Sequence, residues 1–276
     1  MTQALRIFDV GPDRFNELDG LPAALPVGGF LWIGVARADF EAQLGAVQAQ
    51  LQHSEGSQLV DLHISDLLNA QLPSHYDYTS WYDLLVFRRL QAGSADDGGA
   101  ATPGTARQAL RGIDTSPVGF ALFDHILISV HPSDCAVREF FAQRLAGLGA
   151  AGVEGRPTVR LPTSPADLML RMVNHMVDGY LDLRRQLTRQ LGALQSELLS
   201  PKSRFHDWAV LLESRNTLHL LEDTCEDQRA AVQEWIDALD EWPDATDAAA
   251  RRERELLRVR SRDVLEHIER VLTHVR

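Results

Sequence analysis

Ten histidines and two cysteines are the first places to look for metal or nucleophilic chemistry in this chain of 276 residues. No histidine pair reads HExxH, and Cys135 and Cys225 stand 90 positions apart with no CxxC, so the spacing encodes neither a zinc-protease helix nor a thiolate zinc site. His175 and Asp178 fall at i, i+3, and His206 is followed directly by Asp207. Each pair could give two metal ligands on a small arc, or two solvated polar groups at the edge of a helical seam. Gly147-Leu148-Gly149-Ala150-Ala151-Gly152 spells GxGxxG, but it follows a helical pattern and runs into Pro157. A dinucleotide turn leaves a strand and opens a helix, so a helix-exit loop is the plainer meaning. The chain holds no GxxxxGK[ST] phosphate loop and no GxSxG elbow. These spacings assemble no catalytic set, and the chain reads as a protein other than an enzyme.

Carboxylates say more. With 27 Lys+Arg against 39 Asp+Glu the formal charge is −12, which repels nucleic acid over most of the surface. Ten carboxylates between Glu222 and Asp247 face a single Arg229, and six arginines follow between Arg251 and Arg262. Such segregation either collects cations through a diffuse field or simply solvates an exposed face. Asp263 and Glu266 lie beside an apolar seam of Val264, Ile268, Val271 and Val275. If that seam packs against a neighbouring subunit, a carboxylate at its edge meets another chain, where a hard, oxygen-liganded cation would neutralise the repulsion.

The elements that must position these groups fall into two halves. Hydrophobic residues make up 45% of the chain, an ordinary globular composition. No window approaches the ~18 to 20 unbroken apolar residues of a spanning helix, and the start lacks a signal-peptide pattern, so a soluble chain with free thiols in a reducing compartment is expected. Residues 1–160 predict a mixed α/β domain. LRIFDV (5–10), FLWIGV (30–35), LVDLHI (59–64), LLVFRRL (84–90), VGFALF (118–123) and HILISVH (125–131) read as strands. Helical patterns lie at 38–52 and 134–146, the second opened by Ser133 or Asp134. Residues 92–117, rich in Gly, Ala, Ser and Asp, read as a long flexible loop between two adjacent strands.

Residues 161–276 predict long helices. Ser164-Pro165-Ala166-Asp167 is a strong helix start: a serine cap, proline at the first helical position and an acid at the positive helix end. A helix over 165–200 would form a rod of about 55 Å. Its positions Val173, Met176, Tyr180, Leu183, Leu187, Leu191, Leu194 and Leu198 trace a coiled-coil seam with one skip. An acidic helical hairpin over 203–244 follows, turned by WPDAT, and a last helix over 247–276 stays in register to Arg276 without a stop signal. That end reads either as an uncapped, fraying terminus or as a stalk cut before its end. The fold class is therefore α+β, an α/β/α-layered mixed sheet followed by long helices forming a coiled-coil-like hairpin and stalk.

In this order and spacing, LWIGV (31–35), LHISDLLN (62–69) with the aromatic-rich segment and LLVFRRL behind it, FALFDHILISVHP (120–132), ADLMLRMVNHMVDGYLDL (166–183) and SRDVLEHIERV (261–271) resemble the cytoplasmic part of CorA/ZntB-type divalent metal cation transporters. The resemblance implies the funnel of a homopentameric channel at the cytoplasmic face of an inner or plasma membrane. There the last helix continues as the pore-lining span, which ends in a Gly-Met-Asn signature absent from this sequence. It implies no cofactor, only a divalent cation (Mg2+, Co2+, Ni2+ or Zn2+) as the transported or regulatory ion. It also implies that Asp66 and Asp263 match the aspartates that share Mg2+ across the subunit interface in magnesium-gated members. The sequence departs from that pattern at Ser65, where an acid usually precedes the first aspartate, and at Asn174, where a second-site carboxylate is usual. The usual His-Pro before the first segment is also missing, which fits a ZntB-like zinc transporter. The rival reading is a soluble helical scaffold or oligomerisation protein without a pore.

Overall fold

Continuous apolar runs make the centre of the sheet. The computed structural model describes residues 5–92, 113–150, 160–180, 208–243 and 247–275, together with 183, 185, 188, 192, 196 and 245. The strands are β1 (Leu5–Val10), β2 (Phe15–Leu18), β3 (Phe30–Ala36), β4 (His75–Tyr78), β5 (Asp83–Arg88), β6 (Gln91–Ala92), β7 (Ile113–Asp114), β8 (Pro117–Leu122) and β9 (Ile126–His131). The helices are α1 (Arg37–Ser54), α2 (Asp61–Leu68), α3 (Ala136–Ala150), α4 (Pro165–Asp178), α5 (Trp208–Glu241) and α6 (Ala248–Val275). Seven strands form one sheet in the order β2-β1-β3-β9-β8-β5-β4, and β6 pairs with β7 apart from it. The pair β3/β9 is parallel, in register from Leu31↔Ile126 to Ala36↔His131, and every other neighbouring pair is antiparallel. Both central strands are buried along their whole length. Strands covered on both faces need unbroken hydrocarbon rather than alternation.

Side chains alternate between two cores. Leu84, Val86, Ala121, Ile126 and Ile128 point toward Phe40, Val47 and Leu51 of α1 and Leu67 of α2. Leu85, Phe87, Phe120, Leu122 and Leu127 point the other way, into a second core completed by α3, α4, α5 and α6. This is the expected α/β/α layering, with the long helices gathered on one face.

One expected strand is a helix. LVDLHI (59–64) belongs to the segment entering α2, because Leu59, His63 and Leu67 recur every four residues and are the buried ones, while Val60 and Leu62 are exposed. Strands β2 and β4 were not expected, being short, half-exposed edge strands with polar residues. Strands β5 and β8 pair as neighbours, and β6 and β7 tie together the ends of the expected loop. The span 93–112 lies outside the described residues. Helix α3 begins at Ala136, after Cys135 at φ 48°, and Asp134 Oδ1 accepts from the Ala136 N–H at 3.2 Å.

The start of α4 follows the expected chemistry, with the Asp167 N–H donating to Ser164 Oγ at 3.2 Å and Pro165 in the first turn. Of the expected rod seam, Val173, Met176, Tyr180 and Leu183 are buried, and Leu187, Leu191, Leu194 and Leu198 lie outside the described residues. The span expected as an acidic hairpin over 203–244 is one continuous helix from Trp208 to Glu241, with no turn inside it, and the hairpin is the one that α5 makes with α6. Asp247 Oδ1 caps α6 by accepting from the N–H groups of Ala249 and Ala250, both at 2.8 Å. Arg254 donates to the carbonyls of Trp242 and Pro243, and Arg258 meets Asp240 at 2.6 Å. The buried face of α6 runs Leu257, Ser261, Val264, Ile268 and Val271, and inside it Trp235 Nε1 donates to Ser261 Oγ at 3.0 Å. No helix among the described residues is long and apolar enough to cross a membrane.

Candidate functional site

Asp66 owes its position to how α2 lies on the sheet. A Cβ on Gly119 would stand 2.4 Å from Leu67 Cδ2, so the helix rests directly on β8 and only hydrogen fits beneath it. Arg37, at the start of α1, pins the same turn by donating to the Leu67 carbonyl at 3.0 Å and the Pro117 carbonyl at 2.5 Å. Burial pushes the Arg37 guanidinium below its ordinary value, with Arg88 and Arg89 adding to the effect. On the inner side of α2, His63 is held at Nδ1 by the Tyr82 hydroxyl at 2.8 Å and at Nε2 by Asp77 at 3.1 Å. Asp66, three residues on, keeps 18% of its side chain exposed, with Oδ2 3.7 Å from His75 Nε2. Ser65 beside it is exposed and adds a hydroxyl where a second carboxylate would strengthen a cation site.

Asp263 occupies the outer side of α6, one position before the buried Val264. Half of its side chain is exposed, and Oδ1 lies 3.7 Å from Nδ1 of His267 one turn along. That same Nδ1 sits 2.7 Å from the Asp263 backbone carbonyl, to which it donates. Glu266, also outward, pairs with Arg270. Within one chain the structure does not bring Asp66 and Asp263 together: α2 packs in the core on one side of the sheet and α6 in the core on the other. Among the described residues no three His, Cys, Asp or Glu side chains converge as a metal centre.

The other candidates resolve differently. His175 stacks face to face on Phe140, centroids 3.9 Å apart and planes at 4°, and meets Phe141 edge-on. Burial lowers its pKa against the opposing pull of Asp178, so the ring packs as a neutral aromatic. Gly147 and Gly149 belong to the last turns of α3 rather than to a strand-to-helix turn, and Gly152, His206 and Asp207 lie outside the described residues. The composition-level reading missed a buried ion triplet. Asp167, fully buried, holds Arg171 at 2.8 Å and Arg260 of α6 at 3.1 Å. The Asp167/Arg171 spacing of four was visible as a helical pair, whereas Arg260, 93 positions further on, carried no local signal.

Comparison with known proteins fits this geometry. A family model described as CorA-like Mg2+ transporter protein matches residues 29–276. The chain is similar to the soluble domain of CorA from Methanocaldococcus jannaschii, at 13% identity and a TM-score of 0.64, covering 100% of this chain and 95% of that one. It is similar to the ZntB cytoplasmic domain from Vibrio parahaemolyticus RIMD 2210633, at 16% identity and a TM-score of 0.56, covering 98% and 92%. The complete CorA magnesium transporter from Methanocaldococcus jannaschii matches at 12% identity and a TM-score of 0.58, covering 100% of this chain and 75% of that one. No curated protein sequence matches. At these identities the solved structures speak for the fold: a mixed sheet with long helices on one face.

Proposed function

The chain belongs to the CorA-like family of Mg2+ transporter proteins, and from that premise we propose that it forms the cytoplasmic funnel of a homopentameric divalent-cation channel, gated by metal held between subunits. Helix α6 would lead toward the pore, and the acidic face of α5 would raise the local cation concentration. The carrying observation is the placement of the two aspartates: both keep oxygen atoms open to solvent, and the sheet lies between the layers that bear them. A cation bridging Asp66 and Asp263 therefore joins two chains rather than two parts of one.

Two carboxylates brought together across an interface repel when empty, so a bound divalent ion favours the packed, closed ring, and its loss releases the subunits. Ser65 and Asn174 stand where further acids would build a second site, which makes one ion per interface the simplest stoichiometry. The imidazoles of His75 and His267 beside the two carboxylates add nitrogen donors, a set that suits Zn2+ as well as Mg2+. The test titrates Mg2+ and Zn2+ separately into the wild-type chain, Asp66→Ala and Asp263→Ala, and follows molecular mass by light scattering. Metal should drive the wild type to a larger assembly and leave both variants behind. Identical responses in all three would sink the shared-ion reading.

A further inference from the structure

Between α3, α4 and α6 a crevice of about 530 Å3 opens to solvent, and four arginines line it: Arg144, Arg160, Arg171 and Arg260. Against them stand two carboxylates, Asp167 and Asp178. In a chain of net charge −12 this is a local excess of positive charge. Asp167 is fully buried and committed to Arg171 and Arg260, so those two guanidiniums are fixed in place. Arg171 also donates to the carbonyls of Arg160 and Leu161. Arg144 and Arg160 are exposed and form no ion pair with the described residues; Arg144 overlies the Phe140 ring at 5.7 Å and its charge helps to lower the pKa of His175. On the wall of the crevice the Asn174 Oδ1 is buried and accepts no hydrogen bond, and its floor includes the apolar Leu145 and Leu161.

These features call for one kind of ligand. Two planar guanidinium forks with no ion pair among the described residues match the oxygens of a phosphate dianion. The apolar floor suits an organic residue carried by that phosphate. We propose that this crevice binds a phosphate monoester, its dianion between Arg144 and Arg160 and its organic part over Leu145 and Leu161. The site is independent of the shared-cation reading, since none of its donors is Asp66 or Asp263.

The test is calorimetric titration of the 276-residue chain with inorganic phosphate and with phenyl phosphate at low and at physiological salt. Phenyl phosphate should bind more tightly than inorganic phosphate, and the double variant Arg144→Gln/Arg160→Gln should lose about tenfold or more in affinity for both anions. Because these two side chains are exposed and form no ion pair with the described residues, the variant should keep the wild-type circular dichroism spectrum. The control Arg251→Gln/Arg252→Gln removes two exposed charges from the start of α6, away from the crevice, and should bind as the wild type does. Equal affinity for the two anions would overturn the ester assignment. Absence of binding, an unaffected double variant, or a control weakened as much as the double variant would overturn the site itself.

Discussion

Asp167 of α4, with no exposed side-chain surface, bridges Arg171 of its own helix at 2.8 Å and Arg260 of α6 at 3.1 Å. The Arg260 Nε approaches Asp167 Oδ1 off the hydrogen-bond axis, so this half of the triplet is an ion pair rather than a hydrogen bond. It is a long-range charge contact tying α6 to the helix beneath it.

Replacing Asp167 by alanine should therefore cost far more than the loss of a surface ion pair. Two guanidiniums would be left partly buried without a counter-charge, a loss of about 3 to 5 kcal/mol. Asp167→Asn keeps the acceptor oxygen and should lose less. Urea unfolding followed by circular dichroism measures both, and an alanine variant within 1 kcal/mol of wild type, roughly the value of an exposed pair, would contradict the buried-triplet account.

His131 sets a pH limit on stability. Trp32 Nε1 donates to Ser129 Oγ, and Ser129 Oγ lies against His131 Nε2, both at 2.8 Å, in a fully buried pocket. Complete burial, reinforced by Arg138, Arg37 and Arg89, pushes its pKa down to about 3. An unfolded histidine protonates near pH 6.5 and the folded one does not, so this contribution is present above about 6.5 and is lost as pH falls toward 3. Between pH 7 and pH 5 the loss is about 2 kcal/mol. In His131→Gln, whose amide can still bond Ser129 but does not titrate, the unfolding free energy should fall less over that interval. Parallel pH profiles for variant and wild type would remove the histidine from the explanation.

Gly119 supports Asp66 indirectly. A methyl group there would meet Leu67 Cδ2 at 2.4 Å, and Leu67 is completely buried, so α2 must lift from β8. Gly119→Ala should destabilise the chain by about 1 to 3 kcal/mol, the usual range for overpacking. Hydrogen exchange should speed up in the α2 amides ahead of the rest of the sheet, and in a Leu67→Ala background the same Gly119→Ala change should cost much less than in the wild type. Exchange spread evenly over the whole molecule would disprove a local effect at α2.

Strands β3 and β9 were legible because burial on both faces leaves runs such as FLWIGV and HILISVH, which few other structures require. The segment LVDLHI misled because its apolar and polar residues also fit a two-residue period. The four-residue spacing of Leu59, His63 and Leu67 shows only when the window extends past Ile64. Edge strands β2 and β4 carried too few apolar residues to register at all.

The site was legible unevenly. Asp263 could be found beside the seam from spacing alone, and Asp66 only through family resemblance, since nothing local marks a lone aspartate on a two-turn helix. His267, four residues after Asp263, was within reach of the helical periodicity. His75 was not, because it comes from β4 and meets Asp66 only through the tertiary fold.

The Trp235–Ser261 hydrogen bond is a polar point within the hydrocarbon contact between α5 and α6. Shifting α6 along its partner by one turn, about 5.4 Å, would strand the indole proton among leucines and valines. That one bond therefore fixes the register of α6 against α5, as a notch fixes a key.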